Sequence, residues 1–238
     1  NETAILCWSA AAIGAVHTFL GPDHYLPFVA MSRAGRWSPK KTLIVTALCG
    51  VGHVLGSIVL GLVGVALGTA VFHLERIESV RGEIAAWMLI GFGLLYFAWT
   101  TVRLIRNRPH SHWHSHDSQT VHCHEHQHDT AHLHVHADAT PAKSGPSMTP
   151  WILFTIFLFG PCEPLIPLLM YPAAAGSLWL LALITIVFAF ATIMTMTFIV
   201  WLATSSRFAL RSGLMGRFAG PLAGLVVLAC GIAIKAGF

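Results

Sequence analysis

The chain has 238 residues, of which 55% are hydrophobic and only 10% charged, with a mean hydropathy of +0.68. A soluble domain carries about 25% charged residues, so a soluble enzyme is excluded, and no enzymatic activity is expected. The apolar runs are continuous rather than alternating, which excludes a β-barrel. The net charge of +4 and a pI near 9.0 do not imply a nucleic-acid partner, because the basic residues gather at the ends of apolar runs.

A bilayer crossing needs about 20 apolar residues, and the sequence predicts six transmembrane helices near residues 4–31, 42–72, 84–102, 150–170, 178–203 and 218–236. Several are longer than one crossing, which fits tilted or interrupted helices. The first apolar run, residues 4–16, follows no basic segment and continues into further hydrophobic sequence, so a cleaved signal peptide is not expected. Helix one carries His17 and then Gly21-Pro22-Asp23-His24-Tyr25-Leu26-Pro27. Helix two carries Gly50-Val51-Gly52-His53-Val54-Leu55-Gly56, whose small residues permit close helix packing. The loop after it mixes Arg76 and Arg81 with Glu75, Glu78 and Glu83.

After helix three the composition changes. Residues 107–149 hold eleven of the fifteen histidines, mostly at alternate positions between His110 and His136, among Pro, Ser, Thr and Asp. With little to build a core, this segment is expected to be a disordered loop. Helix four carries Gly160-Pro161-Cys162-Glu163-Pro164-Leu165-Ile166-Pro167. Helix five contains a Thr/Met stretch, Thr192 to Thr197, in the place that mirrors His53. Its threonines are expected to bond their own helix backbone.

Basic residues follow helix one (Arg33, Arg36, Lys40, Lys41), helix three (Arg103, Arg106, Arg108) and helix five (Arg207, Arg211, Arg217). The positive-inside rule therefore places these three loops in the cytoplasm and both termini outside, in an inner or plasma membrane. The Gly-Pro motifs of helices one and four match: each is followed by two residues with ligand chemistry and a further Pro, and each opens a group of three helices. An odd number of crossings per group inverts the second group. The expected fold is all-α, two inverted three-helix repeats, residues 1–106 and 150–238, with helices one and four broken by Gly and Pro. Proline removes a backbone donor and frees carbonyls, which hydrocarbon tolerates only around a buried or wet site.

The predicted spans contain only two acids, Asp23 and Glu163, one in each repeated motif. A carboxylate at mid-membrane costs about 3 kcal/mol or more and calls for a partner or a pathway. His17, His24 and His53 are the other titratable candidates, and Cys162 adds a possible thiolate. On a regular helix His17 and His24 would lie about 10 Å apart along the axis, so only a break at Gly21-Pro22 brings both to one ion. Imidazoles suit nickel, zinc, copper and iron, and two carboxylates match the charge of one divalent ion. The candidate site is therefore Asp23, His24, His53, Glu163, Cys162 and His17, with the ion as transported substrate and no resident cofactor. Proton-coupled exchange is expected, since emptied buried carboxylates take up protons. The histidine loop is expected to meet a cytoplasmic metal donor or acceptor.

At His17 through His24 the chain resembles the nickel/cobalt transporter family, whose helix signature is His, four residues, Asp-His. It is most similar to the urease-accessory-protein H-type membrane proteins and related six-helix nickel/cobalt exporters, through Gly-Pro-Asp-His, the Gly-His of helix two and Gly-Pro-Cys-Glu-Pro-Leu-Ile-Pro. The resemblance implies nickel or cobalt transport, with Asp23, His24 and His53 at family ligand positions. One departure is that five residues, not four, separate His17 from Asp23, a rotation of about 100° on a helix. Two alternatives share the inverted layout. A membrane thiol-disulfide carrier would use Cys162, but the matching position in helix one is Asp23 and dithiol exchange needs two thiols. A small-solute exporter of the same superfamily would place an anion at broken-helix N-termini, where carboxylates stand here.

Overall fold

A computed structural model describes residues 2–68, 71–106, 110–116, 120–126, 148–205 and 213–237. The apolar portion is all-helical: α1 (Glu2–Leu20), a 3-10 turn (Pro22–His24), α2 (Leu26–Ala34), α3 (Pro39–Ala66), α4 (Val71–Arg106), α5 (Thr149–Phe159), α6 (Leu165–Ala174), α7 (Leu178–Ser205) and α8 (Gly213–Ala236). Five helices are long and apolar enough to cross a membrane: Glu2–Leu20, Pro39–Gly64, His73–Arg106, Leu178–Ser205 and Phe218–Ala236. The chain is an integral membrane protein. Its surface agrees, with Trp8, Leu95, Trp179 and Phe190 among many large apolar side chains facing outward.

The first predicted span is α1, the 3-10 turn and α2, and the fourth is α5 and α6, helices of 11 and 10 residues. Neither short helix spans a bilayer alone. Both interruptions fall at Gly-Pro. A residue before proline is pushed out of the helical region, and Gly21 (ψ 93°) and Gly160 (ψ 137°) both take extended backbone.

The third predicted span needs correction. Helix α4 begins at Val71, so Glu75, Arg76, Glu78, Arg81 and Glu83 are helical rather than in a loop. Its 36 residues extend about 54 Å, well beyond a 30 Å hydrocarbon layer. No proline interrupts this stretch, and charges alone do not end a helix.

Glycines set how the helices cross. A Cβ on Gly93 of α4 would lie 2.5 Å from the Leu228 nitrogen of α8, and one on Gly224 would lie 2.6 Å from the Phe97 nitrogen. These backbones touch directly. Helix α7 packs on α1 at Gly14, which faces Phe188 and Thr192, and on α3 at Gly50, which faces Ile193 and Met196. Thr18, Thr46 and Thr185 bond carbonyls of their own helices. In the Thr/Met stretch the Oγ1 atoms of Thr192 and Thr197 are instead buried without a partner.

Two apolar clusters result. One holds Ala10 of α1 with Leu165 and Leu169 of α6, and the other holds Phe28 and Met31 of α2 with Leu153, Ile156 and Phe157 of α5. The two breaks lie where these clusters meet. Between α4 and α5, His110–His116 (β1) and Thr120–His126 (β2) pair as an antiparallel ribbon, with His110 opposite His126, His112 opposite His124 and His114 opposite His122. Composition suggested a structureless loop, but alternation with period two is that of a strand. The other residues of 107–147, and the basic residues Arg207 and Arg211, lie outside the described residues.

Candidate metal centre

The break in helix one places His17 and His24 together. Helical winding persists to Gly21, whose N–H donates to His17 O at 3.0 Å. The tighter 3-10 turn then carries His24 back, with its N–H donating to Gly21 O at 3.0 Å. The rings of His17 and His24 meet edge to face at a centroid distance of 4.8 Å and an angle of 81°. His53 of α3 meets His24 at 4.9 Å and 85°. One nitrogen from each of the three rings lies within 4.8 Å of the others.

His24 and His53 are buried. Four ring nitrogens, His17 Nε2, His24 Nε2, His53 Nδ1 and His53 Nε2, are buried with no hydrogen-bond partner. The remaining nitrogen of His24, Nδ1, lies 3.1 Å from Gly21 O and 3.3 Å from Asp23 Oδ1. Both neighbours accept, so Nδ1 carries the proton and Nε2 presents a lone pair. Asp23 thus acts on the histidine from behind, an arrangement that fixes tautomer and ring direction in metal sites.

Each Gly-Pro motif supplies its glycine to an imidazole. A Cβ on Gly21 would lie 2.5 Å from His24 Nδ1, and one on Gly160 would lie 2.8 Å from His53 Nδ1. The second break therefore contributes a backbone wall against His53. It contributes neither of its expected ligands. Cys162 is fully buried in the apolar cluster with Leu165 and Phe188, and Glu163 is exposed. Among the described residues the group with converging ligand atoms is His17, His24 and His53. The shifted spacing of His17 is absorbed by the break. Cys7, Cys49, Cys162 and Cys230 are all free thiols.

The sequence reading missed Glu78 and Arg81 of α4. Glu78 is fully buried and forms an ion pair with Arg81, whose side chain is 14% exposed. Arg81 donates to Leu158 O at 2.9 Å, to Gly160 O at 3.4 Å and to Ser57 Oγ at 3.2 Å. The Cys162 N–H donates to Glu78 Oε2 at 3.2 Å. Their spacing of three within an unbroken helical stretch was the available signal.

A cavity of about 540 Å³ is lined by α2 and the residues after it, from Leu26, two residues beyond His24, to Arg33 and Arg36, and by Ala219, Leu222 and Val226 of α8. No protein-family model, curated protein or solved structure matches this chain.

Proposed function

We propose that this protein carries a divalent transition-metal ion, nickel or cobalt, across a membrane through a site formed by His17, His24 and His53. The observation that carries this reading is the set of four buried ring nitrogens without partners. Each unmet buried polar atom costs about 1–3 kcal/mol, and the sum is hard to sustain unless a guest periodically satisfies them. Neutral imidazole nitrogens are ligands for nickel, cobalt, copper and zinc rather than magnesium or calcium. Asp23 supplies negative charge beside the cluster and orients His24.

The layout supports alternating access by two inverted three-helix units. Break faces break across His53 and Gly160, α3 packs on α7, and α4 packs on α8. The half of helix one before its break shares a cluster with the half of helix four after its break, and the converse pair shares the other. In this reading the basic loops and the histidine ribbon face the cytoplasm, where the ribbon exchanges metal with a donor or acceptor. The resemblance to six-helix nickel/cobalt transporters points to the same substrate. The ion is moved, not converted, so the protein is a carrier rather than an enzyme.

The test is nickel accumulation in cells expressing wild type, His24→Gln, His53→Gln and Glu163→Gln. The two histidine variants are expected to fall to the level of cells without the protein, while Glu163→Gln stays within about twofold of wild type. The sign of the wild-type change gives the direction of transport. Wild-type accumulation in both histidine variants overturns the site.

A further inference from the structure

Glu78 and Arg81 form a buried ion pair at the second break, and nothing in ion binding itself requires it. Removing two charges from water costs several kcal/mol per ion, and apolar residues of the same size would often be cheaper. Charged groups at membrane depth are functional by default. What the pair holds gives its role.

In an unbroken helix the Cys162 N–H would donate to Leu158 O, four residues earlier. Here the two groups are parted, and the ion pair stands between them: Glu78 accepts from the Cys162 N–H, and Arg81 donates to Leu158 O. The next carbonyl but one, Gly160 O, has residue 164 as its helical partner. That residue is Pro164, which has no N–H, and Arg81 reaches Gly160 O as well. The pair is thus a side-chain splint spliced into the backbone ladder of helix four. Two glycines make room for it. A Cβ on Gly56 would clash with the Arg81 guanidinium and lie 2.8 Å from Leu158 O, and a Cβ on Gly82 would lie 2.9 Å from Pro161 Cγ.

The splint is joined to the ion site at two points. Arg81 also donates to Ser57, one helical turn beyond His53 on α3, and the carbonyl it holds at Gly160 belongs to the residue packed against His53. We infer that Glu78 and Arg81 are positioning residues, a latch that keeps the second break open and seated on His53, and that releasing the latch alters metal binding. The alternative state is at hand: if the Cys162 N–H returns to Leu158 O, helix four rewinds and Gly160 leaves His53. Such exchange between two hydrogen-bonded arrangements is the bistable element that alternating access requires. The inference rests on the metal reading for its functional consequence, but the latch itself is separately measurable.

The experiment uses purified full-length protein in detergent, with monodispersity checked by size-exclusion chromatography. Variants are Arg81→Met, Arg81→Lys, Glu78→Gln and the exchanged pair Glu78→Arg with Arg81→Glu, with Glu83→Gln on the exposed face of α4 as reference. Two readouts are taken: Co²⁺ affinity with its visible absorption spectrum, and the rate of N-ethylmaleimide labelling of Cys162 followed by peptide mass spectrometry. Arg81→Met and Glu78→Gln are expected to raise the Co²⁺ Kd tenfold or more, to change the spectrum and to speed Cys162 labelling at least fivefold. Arg81→Lys, which keeps the charge but not the fork of donors, falls between and serves if Arg81→Met does not fold. The exchanged pair is expected to fail like the single variants, because it sets Arg against an N–H and Glu against carbonyls. Restoration of wild-type affinity and labelling by the exchanged pair overturns the latch, as does wild-type behaviour of Arg81→Met. Co²⁺ binding and a spectrum that His24→Gln leaves unchanged overturn the metal reading instead, and the labelling rates still decide the latch.

Discussion

In the proposed site Asp23 takes a different task from the one its position in an apolar run suggests. A carboxylate in a candidate metal site reads first as a ligand, yet Asp23, with its side chain 23% exposed, sets its oxygen 3.3 Å from His24 Nδ1, the nitrogen that also faces Gly21 O. The histidine is held in one tautomer by Gly21 O and Asp23 together, which leaves Nε2, buried and without a partner, as its free nitrogen. Replacing Asp23 by Asn keeps an acceptor oxygen and removes the charge. Loss of a carboxylate behind a ligating histidine costs about 10–100-fold in metal affinity, so Asp23→Asn is expected to weaken Co²⁺ binding by that factor without abolishing it. Titration calorimetry on purified protein lacking residues 110–136 checks this. Complete loss of binding would mean that Asp23 is itself a ligand.

Among the elements, the broken helices were legible because their cause is local. Gly21-Pro22 and Gly160-Pro161 each remove a donor and bend the chain, and both facts are written in neighbouring letters. The partner of the second break was not legible. Glu78 and Arg81 stand more than 75 residues away, and a reading guided by hydropathy assigned every charge between two apolar runs to a loop. What made Asp23 and Glu163 look equivalent was their shared motif. The fold treats them differently, because α4 presents its ion pair to Cys162 beside the second break and leaves Glu163 exposed. The α4–α8 crossing also depends on tertiary contact, and it distinguishes two glycines that look alike in sequence. A Cβ at Gly93 meets the α8 backbone, while one at Gly91 meets nothing within 4 Å. Gly93→Ala is expected to destabilise by about 1–3 kcal/mol through overpacking. Gly91→Ala is expected to be neutral or stabilising by up to about 1 kcal/mol through helix propensity. Thermal unfolding of the two variants followed by tryptophan fluorescence separates them, and equal midpoints would refute the backbone contact.

Among the described residues, the buried titratable side chains His24, His53 and Glu78 gather at the two helix breaks, while large apolar side chains such as Trp8, Leu95 and Trp179 face outward. In the proposed transport reading, that division gives the ion site and the histidine ribbon separate work. The candidate site is assembled by α1, the 3-10 turn and α3, and its wall by the α5–α6 break held from α4. In the proposed transport reading, the ribbon, whose register sets histidine opposite histidine, holds metal apart from the site. Deleting residues 110–136 and joining the flanks with a Gly/Ser linker is therefore expected to leave the maximal rate of metal flux in proteoliposomes within twofold of wild type. The number of Ni²⁺ ions bound at saturation by the detergent-solubilised protein should fall, because the ribbon's imidazoles are gone while the three inside the membrane remain. If maximal flux collapses in a deletion variant that is still monodisperse, the ribbon is part of the transport path itself, and the separation drawn from the packing does not hold.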